Sequence, residues 1–106
     1  MGHDIDFDPA RVVEFLNGLE GLTGEDRSAV LSGVRAELGR DADKFLHLNP
    51  VGGEGWRFEY DYPHLQPASG VVYVLRFVCD GGLMRSHRRV RVLYVDYTTL
   101  GPGQDT

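Results

Sequence analysis

The second half of the chain carries three runs in which apolar and polar residues are distributed as in β-strands. The runs span Trp56–Tyr62, Val71–Cys79 and Arg88–Thr99. The first has aromatic residues at every second position and charged residues between them, which predicts a strand with one buried face. The second is apolar on both sides and interrupted only by Arg76, which predicts a central strand. Two prolines make the segment from Pro63 to Gly70 a predicted loop.

Strict alternation divides the third run between two faces of the predicted sheet. One face is predicted to hold Val90, Val92 and Tyr94. The other is predicted to hold the remaining large side chains: Arg89, Arg91, Leu93, Val95 and Tyr97. This division places the arginines and Tyr97 on the same side of the sheet.

The first half predicts a short strand and a helix. Apolar residues alternate with aspartates over Asp4–Phe7, which indicates a half-buried strand. Asp8 can cap a helix whose first residue is Pro9, because proline at that position loses no hydrogen bond. Apolar residues then recur at helical spacing. Gly18 and Gly21 are predicted to end the helix, with Gly21 the expected residue after its last turn.

A second helix is predicted from the residues that follow. Thr23 and Asp26 have the spacing of a capping box, with aspartate in place of the usual glutamate or glutamine. An apolar stripe then runs to Gly39, where the helix either ends or bends into a further turn that reaches Leu48. The glycine-rich segment 52–55 lacks the Lys-Ser/Thr pair of a P-loop and is interpreted as a connection.

The order of these elements predicts an α+β fold, β-α-α-β-β-β. A short N-terminal strand and a two-helix hairpin are expected to pack on a small antiparallel sheet, because the apolar stripes of the helices need a partner surface. Residues 1–100 are predicted to form a single domain, and residues 101–106 a flexible tail.

Charge is distributed unevenly along this acidic chain. The 106 residues carry a net charge of −5. Residues 1–55 hold eleven acidic and five basic residues, whereas residues 56–100 hold four acidic and six basic residues, all arginines. One cysteine, Cys79, excludes an internal disulfide, and no apolar stretch has the length needed to span a membrane. A cytoplasmic location is therefore expected, without membrane association.

Few residues have the spacing that catalysis or metal binding requires. The four histidines are scattered, so no metal site is predicted, and no cofactor is expected. Cys79 ends an apolar face and is expected to be a buried thiol. The strongest chemical signal is a cluster of basic residues just before the last run and at its start: Arg85, His87, Arg88, Arg89 and Arg91.

Arg57 and Arg76 join this cluster if neighbouring strands pair in order. Arginine donates hydrogen bonds to phosphate oxygens in a planar arrangement, and tyrosines such as Tyr94 and Tyr97 can stack on unpaired bases. The surface can therefore bind single-stranded RNA, or cleave it with histidine or tyrosine moving protons. A solvated strand whose charges deter aggregation explains the same residues.

Two parts of the chain resemble the RelE/ParE superfamily of bacterial toxins. The opening Ile5-Asp6-Phe7-Asp8-Pro9-Ala10 is similar to the first strand and helix start of that family, and the segments VVYVLRFVCDGG from Val71 and RRVRVLYVDY from Arg88 resemble its paired strands. The resemblance implies an endoribonuclease that acts on ribosome-bound mRNA, or an inhibitor of DNA gyrase. It also implies an antitoxin protein as partner.

Carried to this sequence, the resemblance gives two sets of site residues. His87, Arg89 and Tyr97 would be catalytic. Substrate would be bound by four further arginines: Arg57, Arg76, Arg88 and Arg91.

A second hypothesis is a non-catalytic module that binds a partner protein or a second copy of itself. It uses the apolar second face of the sheet: Val72, Val74, Val78, Leu93 and Val95. Ordinary core packing on both sides of the sheet accounts for the same residues.

Overall fold

The computed structural model describes residues 2–52 and 56–101. It contains a four-stranded sheet, one long α-helix and two short ones, which confirms the expected α+β fold class. The elements follow the chain in this order: β1 (Asp4–Phe7), a π-helical turn (Pro9–Val13), α1 (Glu14–Asn17), α2 (Gly24–Leu48), β2 (Arg57–Leu65), β3 (Val72–Asp80), α3 (Met84–His87) and β4 (Arg89–Leu100).

The strands lie in the order β1-β4-β3-β2. The last three strands form an antiparallel meander, and β3 is central as its two apolar sides predict. β1 pairs with β4 in parallel, so the sheet as a whole is mixed. Parallel neighbours need a long crossover between them, and here the helices and the meander supply it.

A single hydrophobic core lies between the helices and one face of the sheet. The turn before α1, α1 itself, α2 and α3 all contribute buried side chains to it. Its largest fully buried side chains are Tyr60, Phe58 and Phe77, and burying each is worth roughly 1.5–3 kcal/mol. We call the opposite face of the sheet, on which Arg57, Arg76, Arg89 and Arg91 are exposed, the open face.

The first helical segment begins as predicted but ends earlier. The Asp8 side chain accepts a hydrogen bond from the backbone N–H of Arg11 at 2.9 Å, and Pro9 takes the first position. Of the two glycines predicted to end this helix, Gly18 rather than the preferred Gly21 follows the last helical residue, Asn17. Gly21 has a different role, because a Cβ there would lie 1.7 Å from the Tyr73 hydroxyl.

The predicted capping box at the start of α2 is confirmed. The Thr23 hydroxyl accepts from the Asp26 backbone, and the Asp26 carboxylate accepts from the Thr23 backbone. α2 continues through Gly39 and kinks at Asp41, whose φ is −121° and ψ is 22°. Gly39 allows the N-terminal segment to approach: its carbonyl accepts from the His3 backbone at 2.8 Å, and a Cβ would lie 3.1 Å from the His3 carbonyl oxygen.

β2 extends beyond its predicted end, so the loop prediction from Pro63 is wrong over its first three residues. Pro63 pairs with Val74 and the strand continues to Leu65. An edge strand tolerates proline when the missing donor faces away from the neighbouring strand. The backbone N–H of Glu59, four residues earlier, is on the same edge of β2 as the nitrogen of Pro63. It donates away from β3, to the Asn49 carbonyl at 3.0 Å.

A β-bulge in β4 overturns the predicted division of that strand. Val78 pairs with Tyr94 and Cys79 pairs with Val92, which leaves Leu93 as an extra residue. Beyond the bulge, the side-chain faces exchange. Val95 is buried opposite Phe77 in the core, whereas Tyr94 is exposed on the open face.

Two sequence-based predictions fall on residues without a described structure. The connection predicted at 52–55 lies outside the described residues except for Gly52. The tail predicted at 101–106 lies outside them except for Gly101.

Candidate nucleic-acid interface

Three of the predicted site arginines meet at one end of the open face. Arg57 of β2 pairs with Asp80 of β3, and Asp80 pairs in turn with Arg91 of β4. Two strand spacings therefore separate Arg57 from Arg91, roughly 10 Å between backbones. Arg89 lies two residues from Arg91 on the same face, about 7 Å away along the strand. We call Arg57, Arg89 and Arg91 the arginine row.

Aspartates accompany these arginines. In the register of the two parallel strands, Arg91 lies beside Asp6 of β1, and Arg89 lies beside Asp4. The Arg89 Nε lies 3.4 Å from a carboxylate oxygen of Asp6, with both side chains nearly half exposed. An exposed ion pair contributes little stability, so the guanidinium groups can exchange this carboxylate for a phosphate at low cost.

A small pocket of about 240 Å³ lies beside the arginine row. It is lined by Arg89, Arg91, Asp80, Gly82 and Leu83. The Asp80 carboxylate accepts a hydrogen bond from the Gly82 backbone at 2.8 Å, which fixes the turn that follows β3. The pocket is close to the size of a single phosphate with part of its sugar, smaller than a usual cofactor site.

The short helix α3 carries the other basic residues to this end of the molecule. Met84 anchors it in the core, and a Cβ at Gly81 would lie only 2.5 Å from the Met84 sulfur. His87 is exposed, with its Nδ1 2.7 Å from the Ser86 hydroxyl. Arg88 ends the helix in the left-handed conformation, with φ 51° and ψ 47°.

Arg88 is directed away from the arginine row, toward the N-terminus. Its Nε donates to the Gly2 carbonyl at 3.3 Å. It lines a larger pocket of about 590 Å³ between α2 and α3, which we call the α2–α3 pocket. The lining residues are His3, Arg40, Asp43, Leu46, His47, Trp56, Met84, Arg85 and Arg88.

Arg76 lies on the open face but apart from the arginine row. It is four residues from Asp80 along β3, about 13 Å. Its register partners are Asp61 on one side and Asp96 on the other, and its Nε donates to Asp61 at 3.1 Å. The hydrogen bond and charge of Asp61 raise the pKa of Arg76. A solvated strand with alternating charges describes this part of the sheet.

Tyr97 lies on the other side of the sheet because of the bulge. Its ring centroid is 6.1 Å from that of Phe15 and 6.2 Å from that of Tyr73. It lines a groove beside the end of α1 together with Gly18 and Thr99. The structure therefore brings Arg57, Arg89 and Arg91 together, places His87 and Arg88 at the same end, and separates Tyr97 from all of them.

The apolar face that the binding-module hypothesis uses is also divided by the bulge. Val95 belongs to the core, and Leu93 is the half-buried extra residue. Val72 and Val74 remain half-exposed on the open face, near the exposed Leu65 and Leu100. These four residues lie at the end of the open face away from the arginine row, since Val72 pairs with both leucines.

Cysteine chemistry and metal binding have no support in the part of the chain that the structure describes. Cys79 is buried, as expected, and desolvation raises the pKa of its thiol. Within residues 2–52 and 56–101, no three His, Cys, Asp or Glu side chains are placed to hold a metal ion. No helix in these ranges is both long and apolar enough to cross a membrane.

Sequence reasoning missed four residues of the α2–α3 pocket: His3, Arg40, His47 and Trp56. They come from three segments that are far apart in the chain and that meet only when α2 lies against the start of β2. Arg85 carried a signal, because it belongs to the basic run before β4. No spacing or motif marks the others.

No family model matches the chain, and comparison with curated proteins and with solved structures finds no match.

Proposed function

We propose that this protein is a cytoplasmic toxin of the RelE/ParE kind that acts on RNA and is neutralised by an antitoxin protein. One observation carries the proposal: arginines from β2 and β4 converge at one end of the open face, beside the basic helix α3. This convergence occurs in a chain whose net charge is −5, so it runs against the overall composition.

The chemistry of the arginine row suits a flexible single strand. The backbone positions that carry these arginines are roughly 7–10 Å apart, so their long side chains can reach successive phosphates of an extended nucleic acid backbone. Tyr94 lies on the same face, two register pairs from Arg91 across the bulge, and 45% of its surface is exposed. An exposed aromatic ring beside phosphate-binding groups offers a stacking platform for an unpaired base.

Proton transfer in this proposal belongs to His87. Its imidazole is exposed at the same end as Arg88 and Arg89, and its hydrogen bond with Ser86 restrains the ring. A histidine there can take the proton from a ribose 2′-hydroxyl, whose oxygen bonds to the adjacent phosphorus while the bond from phosphorus to the 5′-oxygen breaks. The 5′-oxygen leaves as a hydroxyl after taking a proton from water. Arginine donors stabilise the extra negative charge of the phosphorane. Tyr97 has no part in this step because it lies on the opposite face.

The test is controlled expression in a bacterial host. The unchanged chain is expected to arrest growth, and Arg89→Ala combined with Arg91→Ala is expected to abolish the arrest. The control is Arg11→Ala combined with Arg27→Ala, which changes the net charge equally but removes arginines from the helical segments. Unimpaired growth with folded wild-type protein present would overturn the toxin proposal.

RNA binding is measured on the same purified variants. Fluorescence anisotropy with a labelled single-stranded RNA is expected to show affinity that falls as salt rises, because phosphate contacts release counterions. The Arg89/Arg91 double variant should weaken binding and flatten this salt dependence. The control pair should leave both unchanged.

A second candidate function rests on the far end of the open face. Leu65 and Leu100 are each more than half exposed there, beside Val72. Such a row suits contact with a protein or with a second copy of the chain. Light scattering after size-exclusion chromatography tests whether a second copy binds there. A dimer that Leu65→Asp converts to a monomer supports this function, and a monomer at high concentration contradicts it.

A further inference from the structure

The α2–α3 pocket holds a set of groups that take no part in the phosphate contacts of the arginine row or in the proton transfer proposed above. It shares no residue with the arginine row, and it lies on the helix side of the molecule. We infer that this pocket binds a nucleoside phosphate, with the base on Trp56 and the phosphate on Arg40, Arg85 and Arg88. The inference goes beyond the proposed function and does not depend on toxicity.

Charge supplies the first argument. Three arginines line the pocket and Asp43 is the one acidic residue among its described lining residues. Arg40 also forms an exposed ion pair with Asp41 at 3.0 Å, which leaves its other guanidinium nitrogens available to a ligand. His3 and His47 add two further groups that can donate to an anion. A positive pocket in an acidic protein favours an anionic ligand.

The geometry of arginine narrows the choice of anion. Guanidinium groups donate pairs of parallel hydrogen bonds that fit the oxygens of phosphate and carboxylate. Arg85 and Arg88 come from adjacent turns of one short segment, and Arg40 comes from α2 opposite. Donors that reach a ligand from two sides suit the tetrahedral phosphate group, whose oxygens point in several directions.

Trp56 supplies the argument for a base. It is the single tryptophan of the chain, and 38% of its surface is exposed. Its backbone is held in place because its carbonyl accepts from the Gly81 N–H at 2.7 Å, in the turn that leads to α3. An aromatic side chain that lines the same pocket as three arginines can stack on a nucleobase while the phosphate binds the arginines.

Two local features indicate that the pocket is kept for a ligand rather than for stability. Arg88 adopts the left-handed conformation, which glycine would adopt at lower cost, and such outliers gather at ligand-binding sites. His3 Nδ1 is buried without a hydrogen-bond partner among the described residues. A buried polar atom of this kind is expected to have a partner, and a bound ligand can provide it.

Size agrees with the chemistry. The pocket volume of about 590 Å³ lies within the usual range for small-molecule sites and exceeds that of the pocket beside the arginine row. A mononucleotide fits such a volume, and a longer nucleic acid would have to extend outside it.

The experiment follows the fluorescence of Trp56 while adenosine monophosphate is added to the full chain. Because there is one tryptophan, a saturable change in emission reports binding next to Trp56. Trp56 also lines a cavity with Arg57, so the Arg85 and Arg88 variants below assign the change to this pocket. Calorimetry gives the affinity independently. Adenosine and inorganic phosphate are titrated separately, and each is expected to bind at least about tenfold more weakly than the nucleotide, because each makes part of the contacts.

Variants decide which residues bind the ligand. Arg85→Ala combined with Arg88→Ala should weaken nucleotide binding by at least about tenfold, as expected for lost charge-assisted hydrogen bonds. Trp56→Leu should weaken binding in calorimetry by losing the stacking surface. Arg27→Ala is the control, since it removes an arginine at the other end of α2, about 20 Å from Arg40 along the helix.

The source of the nucleotide is tested with a short RNA that carries a 5′-phosphate. The measurement uses the Arg89→Ala, Arg91→Ala variant, in which RNA contacts at the arginine row are weakened. There, tighter binding of this RNA than of the mononucleotide assigns the pocket to the end of an RNA strand, and equal or weaker binding assigns it to a free nucleotide. No saturable change with any of these probes at millimolar concentration would overturn the inference. So would equal loss of binding in the Arg27→Ala control.

Discussion

His64 Nε2 lies 2.9 Å from Asp26 Oδ1 and thereby joins the end of β2 to the first turn of α2. The same carboxylate accepts from the Gln66 side-chain amide at 2.9 Å and from the Thr23 backbone N–H at 2.9 Å. The contact between His64 and Asp26 connects residues 38 positions apart in the chain. It holds the N-terminus of the longest helix against the edge strand of the sheet.

Asp26 should make the protein sensitive to acid. Hydrogen bonds from the Thr23 backbone, Gln66 and His64 hold the pKa of this carboxyl well below its ordinary value of 3.8. A carboxyl with a lowered pKa in the folded state stabilises the fold above its unfolded pKa, and this stabilisation is lost as the pH falls below about 4. Urea unfolding at a series of pH values from 6 downward, in steps of about one unit, measures the loss.

Asp26→Asn should remove most of that pH dependence and lower the free energy of unfolding by roughly 1–3 kcal/mol at neutral pH. The reason is that the amide nitrogen of asparagine is itself a donor, and it would face the N–H groups that now donate to Oδ2. Glu25→Gln is the matched control, since it removes an exposed charge from the same helical turn. An unchanged pH dependence in the Asp26 variant would contradict this account.

Gly33 in α2 should resist replacement by alanine although alanine favours helices. A Cβ there would lie 2.1 Å from the Tyr62 hydroxyl oxygen and 2.7 Å from the ring carbon that carries it. Moving the ring is expected to destabilise the protein by about 1–3 kcal/mol, which is more than alanine gains over glycine from its higher helix propensity. Thermal unfolding of Gly33→Ala measures the net effect.

Gly24→Ala provides the comparison for this prediction. It makes the same change in the same helix, but the nearest atom to its Cβ would be a guanidinium nitrogen of Arg27 at 3.8 Å. We expect it to be neutral or to stabilise the protein by about 0.4–1 kcal/mol. Equal effects of the two variants would show that Tyr62 does not restrict Gly33.

Cys79 should react slowly with thiol reagents while the protein is folded. Its side chain is fully buried in the core, and burial raises the pKa of the thiol, so the reactive thiolate is rare. Reaction with a disulfide reagent such as DTNB should be at least about tenfold slower in buffer than in urea. The exposed thiol introduced by Ser28→Cys on α2 serves as the fast reference, and similar rates for both thiols in buffer would contradict the prediction.

Arg88 should carry a backbone cost that glycine removes. Its φ of 51° is in the left-handed region, where a residue with a Cβ is disfavoured by about 1–2 kcal/mol. Arg88→Gly and Arg88→Ala both lose the side chain and its bond to the Gly2 carbonyl, but only glycine relieves the backbone. Chemical denaturation should find the glycine variant more stable by about 1 kcal/mol. A more stable alanine variant would contradict this.

Patterns within short segments predicted much of the fold. β1 occupies the same four residues, Asp4–Phe7, that its alternation indicates, and the Thr23–Asp26 capping box forms as its spacing predicts. The two apolar sides of β3 correctly indicated a central strand. These features depend on neighbours within a few positions, and such neighbours leave a direct record in the sequence.

Predictions of where an element ends were less accurate than predictions of its type. Pro63 lies inside β2 because an edge strand has no need of its N–H, and edge position is a property of the whole sheet. α1 ends at Gly18, and Gly21 is required instead by the Tyr73 hydroxyl, which approaches from a strand about fifty residues later.

The candidate site shows the same limit. Sequence alone identified the basic run before β4 and the arginines on three strands, since charge can be counted along the chain. The extra residue Leu93 then exchanges the faces of β4, which moves Tyr97 away from Arg89 and Arg91. One inserted residue reverses every side chain beyond it because strand side chains alternate with a period of two.

By itself, then, the sequence determined the four strands and the first two helical segments, because burial on one side imposes a local periodicity; the short helix α3 had no such pattern and was not predicted. Only the tertiary structure decided that β1 runs parallel to β4, that His3, Arg40 and Trp56 line one pocket, and that the arginine row and Tyr97 occupy opposite faces. Those relationships join residues distant in the chain, and their contacts follow from how the elements pack together rather than from any residue's immediate neighbours.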